Sequence, residues 1–125
     1  MTNETALQIA INCNVIKGST QIPFRLRRIL NDNASVRAQI IDKYNAIINL
    51  GKESTHSQEE VSEEASNFFK EEFIGSFSII PLGMVEDLKV ETIKFSMGFN
   101  KDKPENMTVE LTATLEYLEK EGIIK

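Results

Sequence analysis

The sequence predicts an α+β fold in a single domain, residues 1–125, because a part with helical patterning is followed by a part with strand-type composition. Before Gly75, apolar residues recur at the spacing of amphipathic helices. After it, short runs rich in β-branched and aromatic residues are typical of strands. We therefore expect N-terminal helices including one long helix, an acidic middle helix, a small antiparallel sheet of about three short strands, and a short C-terminal helix.

A short first helix is predicted over residues 5–16, with Gly18 closing it. The residues at helical spacing are Ala6, Leu7, Ile9, Ala10, Cys13 and Ile16. Two asparagines in the same stretch, Asn12 and Asn14, are poor helix formers and weaken this prediction.

The long helix is predicted over residues 23–50, because Pro23 suits a first helical position and an apolar stripe follows at a 3.6-residue period. The stripe consists of Leu26, Ile29, Leu30, Val36, Ile40, Ile41, Tyr44, Ile47, Ile48 and Leu50. The sequence "NDNAS" interrupts it, and Asp32, Asn33 or Ser35 could cap a second helix there. We favour one long, bent helix and keep two stacked helices as the alternative.

The acidic middle helix is predicted to run from a capping box at residues 57–60 to about Phe73. Ser57 would cap the helix, and Glu60 would reach back to it. The inward residues would be Val61, Ala65, Phe68, Phe69 and Phe73. Gly75 is a plausible stop signal.

The last third of the chain allows two interpretations. The predicted strands are residues 76–82, 88–97 and 107–111. Thr112 would then cap the terminal helix, and Gly122 would end it. A single helix over residues 104–121 is the alternative, since Leu111, Leu115 and Leu118 also fit helical spacing.

Residues that carry chemistry are sparse. The single histidine, His56, has no neighbouring ligand, so a zinc site or a histidine-dependent triad has no support. Cys13 lies on an apolar helix face, where a cysteine is usually a buried small hydrophobe. The glutamate pairs of the middle helix have the spacing of a solvated face. We expect no catalytic residue, no metal ion and no cofactor, and hence a protein that is not an enzyme.

The net charge of −5 hides an asymmetry along the chain. Residues 1–52 carry seven Lys/Arg against three Asp/Glu, a net charge of +4, and the remainder carries −9. Such opposite halves suit intramolecular docking, head-to-tail assembly or the binding of an anion. No signal peptide and no run of about 20 apolar residues is present, so we expect no membrane partner and a cytoplasmic location, the host cytoplasm if the protein is phage-encoded.

The sequence "QIPFRLRRIL" places Phe24 beside three arginines at the start of the long helix. At 100° per residue, Phe24, Arg25 and Arg28 lie off the apolar stripe, and Arg27 lies behind it. Aromatic and arginine side chains together are enriched at protein interfaces. Alternatively, Phe24 packs beneath the first helix, or Arg25, Arg27 and Arg28 form a candidate anion-binding site. The acidic chain argues against nucleic acid but leaves a nucleotide ligand open.

Arg37 falls inside the apolar stripe, where a buried charge would need a partner. A glutamate of the middle helix or a partner chain could pair with it, or the side chain could extend along the stripe edge into solvent. Together with Tyr44 of the same stripe, Arg37 completes the predicted interface set of Phe24, Arg25, Arg28, Arg37 and Tyr44.

Several segments together resemble a family of small, uncharacterised proteins of tailed phages and prophages. The segments are "IPFRLRRIL", "IIDKYNAIINLG", "SEEASNFFKEEF", "FSIIPLGMVEDL" and "ELTATLEYLEKEGII". The resemblance covers residues 20–125, and this chain differs by its additional helix before residue 20 and a longer turn at 98–106. It implies phage origin and an α+β fold, and it supplies no catalytic residues.

The sequence thus predicts a non-enzymatic, phage-type accessory protein that works by binding protein and self-associates as a homo-oligomer. Its partner would be a second copy, a host or phage protein, or both. The stripe of residues 23–50 with Phe24 and its neighbouring arginines would form the contact. The alternatives are an anti-defence protein that sequesters a nucleotide or small ligand, and a minor structural component of the virion.

Overall fold

A computed structural model describes the backbone of residues 1–18, 22–53, 57–86, 92–97 and 105–125. Side chains are described for residues 1–18, 22–53, 57–86 and 113–125. The helices are α1 (Asn3–Lys17), α2 (Phe24–Ala34), α3 (Val36–Glu53), α4 (Gln58–Lys70) and α5 (Leu111–Lys120), with a short 3₁₀ turn at Leu82–Met84. Two strands, β1 (Thr92–Met97) and β2 (Glu105–Glu110), complete the described backbone.

Helix α1 is the central element of the fold, and its prediction is confirmed with slightly wider bounds. Thr2 caps it by accepting a hydrogen bond from the Thr5 N–H at 3.2 Å. Both faces of the helix are buried, which explains why its apolar residues do not form a single stripe. Asn3 is buried as well, and its Nδ2 donates to the Phe68 carbonyl at 2.8 Å, which holds α4 against α1.

The predicted single helix over residues 23–50 is wrong, and the alternative of two helices is correct. The chain divides at Ser35, whose backbone stays in the helical region at φ −63° and ψ −20°. The Ser35 hydroxyl donates to the Asp32 carbonyl at 2.6 Å. Such bonding of a serine side chain to the preceding turn bends helices. Leu26 and Leu30 of α2 are buried, and Val36 and Ile40 bury the start of α3.

Helix α4 begins where the capping signal placed it, because the Ser57 hydroxyl accepts the Glu60 N–H at 3.3 Å. Ala65 and Phe68 are buried, as predicted, and Phe69 is half-buried. The helix ends at Lys70, five residues before the predicted stop at Gly75. The chain then turns to pair with the N-terminus: Asn3 donates its N–H to the Glu71 carbonyl at 2.9 Å, and Phe73 donates to the Met1 carbonyl at 2.8 Å.

Residues 76–82 do not form the predicted strand. They run as an irregular segment whose backbone groups bond to distant parts of the chain. The Ser78 N–H donates to Asn33 Oδ1 at 2.8 Å, and Asn33 Nδ2 donates to the Ser78 carbonyl at 2.9 Å. Ile80 makes an isolated parallel bridge with Ile124. Of this segment only Ile80 is fully buried, so its β-rich composition reflects neither membership of a sheet nor burial of the whole segment.

The predicted α+β class is also wrong. The part of the chain whose side chains are described contains no strand and no sheet, and its core is built from helices. Among the residues with a described backbone, strands occur only as a hairpin, in which β1 pairs antiparallel with β2 and Thr92 lies opposite Glu110. The predicted sheet of three strands is thus replaced by one hairpin attached to a helical body. The single helix over residues 104–121 is likewise excluded, because β2 ends at Glu110.

The C-terminal end is held by a glycine turn followed by a short pairing segment. Gly122 has φ +77°, and the Ile123 N–H donates to the Leu118 carbonyl at 2.9 Å, which is a Schellman motif. The prediction that Gly122 ends the terminal helix is confirmed. Ile80 then donates to the Ile123 carbonyl at 2.8 Å, and Lys125 donates back to Ile80 at 3.2 Å.

The core consists of two apolar clusters on opposite sides of α1. The first joins α1, α2, residues 77–85, α5 and the C-terminal residues, with Ile9, Ile16, Leu26, Leu30, Ile80, Leu115 and Leu118 fully buried. The second joins α1, α3 and α4 through Ala6, Ala10, Val36, Ile40 and Phe68. Because α1 belongs to both clusters, the described helices pack around it as one unit.

Candidate functional site

The start of α2 presents Phe24 to solvent, as the helical projection predicted. Its side chain is 83% exposed, so it does not pack beneath α1. Phe24 is the first residue of α2 and follows Pro23, whose carbonyl accepts the Arg27 N–H at 3.0 Å. Burial of Leu26 and Leu30 fixes the rotation of the helix, and this rotation directs residue 24 outward.

The arginines beside Phe24 are not equivalent. Arg27 Nη1 donates to the Lys17 carbonyl at 3.2 Å, so this side chain binds the C-terminal end of α1. Arg25 and Arg28 are exposed and form no ion pair with any described residue, including Asp32. We name Phe24, Arg25 and Arg28 the α2 face. The cations lie near the positive end of the α2 dipole, an unfavourable placement within the isolated chain.

The other two predicted interface residues lie elsewhere. Arg37 is exposed in the first turn of α3 and forms no ion pair with the described part of the chain. It does not enter the buried stripe, which Val36 and Ile40 form at this end of α3. Tyr44 is half-buried, and its ring centroid lies 5.4 Å from that of Phe69. Tyr44 therefore belongs to the α3–α4 contact, and the structure does not bring it together with Phe24.

A groove that the sequence analysis missed lies between the end of α3 and the start of α4, with a volume of about 780 Å³. We name it the acidic groove. Its apolar lining is Ile47, Leu50, Gly51 and Val61, and its charged lining is Glu53, Glu60, Glu63 and Glu64. Leu50 is 64% exposed, an unusual state for a large apolar side chain within a concave surface.

Close contact between two helices shapes this groove. A Cβ atom added at Gly51 would collide with Cγ2 of Val61, at a separation that real Cβ atoms do not show. Only glycine lets the α3 backbone approach Val61 so closely. The contact joins the two helices at this point and leaves Ile47 and Leu50 beside it. A glycine in the last turns of an amphipathic helix, followed by an apolar residue in the next helix, is the signal that could have indicated the contact.

The glutamates of the groove come from two helices. Glu60, Glu63 and Glu64 are spaced by three and four residues and so share one face of α4. Glu53 is the last residue of α3. Glu63 and Glu64 form no ion pair with any residue that the structure describes. An apolar groove bordered by negative charge is suited to a ligand with an apolar centre and a positive periphery.

Cys13 behaves as a buried hydrophobe, as predicted. It is fully buried, and desolvation raises its pKa from 9.0 to about 12, despite the opposing effect of a hydrogen bond with Asn33. A thiol with so high a pKa is a poor nucleophile at neutral pH. Asn33, which the sequence analysis treated only as a candidate cap, instead links Cys13, α2 and Ser78 within the interior.

Within the described residues, no three His, Cys, Asp or Glu side chains come together as they would around a metal ion. His56 lies outside those residues. None of the described helices is both long enough and apolar enough to span a membrane.

Comparisons of the chain with protein-family models, with curated proteins and with solved structures found no match. The resemblance to phage proteins therefore stays a prediction. Two exposed surfaces, the α2 face and the acidic groove, are therefore the candidate sites for function.

Proposed function

We propose that this protein is a non-enzymatic accessory protein that works in the cytoplasm by binding another protein through its α2 face. The observation that carries the proposal is the exposure of Phe24, 83%, next to Arg25 and Arg28, which have no partner among the described residues. Aromatic and arginine side chains contribute more binding energy than other types at protein interfaces, because they bury large areas and form several hydrogen bonds.

Two features of the surrounding structure support this proposal. Leu26 and Leu30 hold α2 on the core, so Phe24 is presented from a rigid helix, and its ordering costs little on binding. Arg25 lies near the positive N-terminal end of α2, where the helix dipole repels its guanidinium group. A carboxylate of a partner protein would offset this repulsion.

The alternative functions remain predictions. A nucleotide-sequestering protein would use the arginines of α2 on phosphates, but Arg27 is already bonded to the Lys17 carbonyl, which leaves a smaller cluster. A minor virion component would need only an exposed surface, and the α2 face serves that role equally well. Phage origin also remains a prediction.

Site-specific photo-cross-linking tests the proposal. A benzophenone amino acid would replace Phe24 in one preparation and the exposed Gln39 of α3 in a second, matched preparation. We expect cross-links to a protein, either a second copy or a different chain, from position 24 and not from position 39. Excess unlabelled wild-type protein should suppress them, and an excess of the Arg25→Glu/Arg28→Glu variant should not. Absence of cross-links at position 24 would overturn the proposed function.

A further inference from the structure

The α2 face and the acidic groove have opposite chemical characters. The α2 face is one exposed aromatic ring beside two guanidinium groups that pair with no residue in the described part of the chain. The groove is an apolar floor formed by Ile47, Leu50 and Val61, bordered by glutamates of α3 and α4. The two surfaces are therefore complementary in shape and charge. The α2 face is an apolar projection with positive charges, and the acidic groove is an apolar depression with negative charges.

We propose that a second copy of this chain occupies the acidic groove with its α2 face. Phe24 of one copy lies on the floor formed by Leu50 and Val61 of the other, and Arg25 and Arg28 meet Glu63 and Glu64. This inference rests on the proposed function, since it names the partner of the α2 face. It also assigns a role to the groove, which the proposed function does not use.

Charge complementarity favours the α2 face of a second copy as the occupant of the acidic groove. Residues 1–52 carry a net charge of +4 and the remainder −9, and all four arginines lie between residues 25 and 37. The chain therefore carries a cationic surface of its own that matches its anionic groove. The arginine stems can cover the apolar floor around Phe24 while their guanidinium groups reach the rim. Phe24 does not enter the groove of its own copy, because its side chain is exposed.

The two surfaces consist of different residues, so the contact is head-to-tail and leaves one open surface on each end of a pair. Such contacts continue into rings or open chains. The surfaces are small, and interfaces of this size are weak, so we expect dissociation constants on the order of tens of micromolar. Exposed ion pairs contribute to the contact, and salt should therefore weaken it.

A mixing experiment with two variants tests the inference by sedimentation velocity at about 50 mM salt, where screening is modest. The first variant, Phe24→Ala/Arg28→Glu, loses the α2 face and keeps the groove. The second, Leu50→Asp/Glu63→Lys, loses the groove and keeps the α2 face. We expect wild-type protein to associate as its concentration rises, each variant alone to be monomeric, and the mixture to form a one-to-one pair.

A control variant separates this contact from general effects of exposed apolar or charged residues. Ile74 is 84% exposed, so Ile74→Ala removes an apolar side chain as exposed as Phe24. Lys43→Glu reverses a charge on the exposed part of α3. The Ile74→Ala/Lys43→Glu variant should associate like wild-type protein. Circular dichroism and urea unfolding should show that all variants are folded before they are mixed.

Three outcomes would overturn the inference. Wild-type protein could stay monomeric up to about millimolar concentration, far above the expected dissociation constant. The groove variant could associate as strongly as wild type, or the mixture of the two defective variants could fail to pair. None of these affects the proposed function, which fails only if position 24 cross-links to no protein. Cross-links from position 24 should map to residues 47–64 of a second copy, and mapping elsewhere would also reject the inference.

Discussion

The side-chain amide of Asn33 bonds both backbone groups of Ser78, donating to its carbonyl at 2.9 Å and accepting its N–H at 2.8 Å. The Asn33 side chain thereby pairs both backbone groups of Ser78, as a neighbouring strand would in a sheet. Asn33 is almost fully buried and both bonds are partly shielded from solvent, so water replaces them only in part if the amide is lost.

The variant Asn33→Ala should therefore lose about 2–3 kcal/mol of unfolding free energy, since it leaves two polar groups of Ser78 without their partner. Urea unfolding followed by circular dichroism measures this loss. Asn31→Ala is the matched control, because Asn31 is exposed on the same helix and its side chain accepts a hydrogen bond from the Lys17 ammonium group at the surface. It should change the stability by less than about 0.5 kcal/mol. Equal losses for both variants would contradict the role of the Asn33–Ser78 pair.

The second prediction concerns the contact between α3 and α4. Gly51→Ala gains about 1 kcal/mol of helix propensity, but its Cβ would collide with Val61. Because overpacking costs about 1–3 kcal/mol, we expect a net loss of stability on the order of 1 kcal/mol. Gly83→Ala, which has nothing within 4 Å of its Cβ position, should be nearly neutral.

A double variant tests whether Val61 causes that loss. Val61→Ala combined with Gly51→Ala removes the Cγ atoms that the new methyl group would meet. The combined variant should be more stable than the sum of the two single effects, and strict additivity would show that the predicted collision does not occur.

The third prediction follows from the raised pKa of Cys13. In the folded protein this pKa is about 12 against 9.0 for the ordinary thiol, so the folded state holds its proton more tightly than the unfolded state does. The resulting stability is fully present below pH 9 and is lost as pH rises toward 12. Urea unfolding of wild type between pH 8 and 10 should show a steeper decline than unfolding of Cys13→Ala, and parallel declines would reject the prediction.

Labelling of the same residue gives an independent measurement. Cys13 is the only cysteine in the chain. A maleimide at neutral pH should react with it at least a hundredfold more slowly in native protein than in urea, a factor equivalent to an opening free energy of about 3 kcal/mol. Comparable rates in the two conditions would contradict its burial.

The fourth prediction concerns the end of α5. Gly122 has φ +77°, a conformation that costs other residues about 1–2 kcal/mol, so Gly122→Ala should lose that amount. Gly122→Asn should lose less, because asparagine tolerates this conformation better than alanine. Thermal unfolding of the two variants measures the difference. Alanine and asparagine variants of equal stability would contradict the backbone explanation.

Local patterns were sufficient to predict the features that depend on near neighbours. Ser57 as a helix cap, Gly122 as a helix end and Cys13 as a buried residue each follow from a few adjacent positions, and all are confirmed. The exposed Phe24 followed from helical rotation, which Leu26 and Leu30 determine locally. These are interactions within one or two turns of a helix.

Features that depend on distant parts of the chain were not predictable in this way. Residues 76–82 have the composition of a strand, but their partners are Asn33 and the C-terminal residues, which no local pattern connects to them. The acidic groove depends on how closely Gly51 approaches Val61 across a linker. The division at Ser35 depends on the different packing of α2 and α3, which share a continuous apolar stripe in the sequence.

The pairing of Ile80 with Ile123 and Lys125 affects the order in which the two apolar clusters can assemble during synthesis. The cluster of α1, α3 and α4 includes no residue beyond Phe77, so it can assemble while synthesis continues. The other cluster requires Leu115, Leu118, Ile123 and Ile124. Until these residues have been synthesised, one apolar side of α1 has no cover from α5.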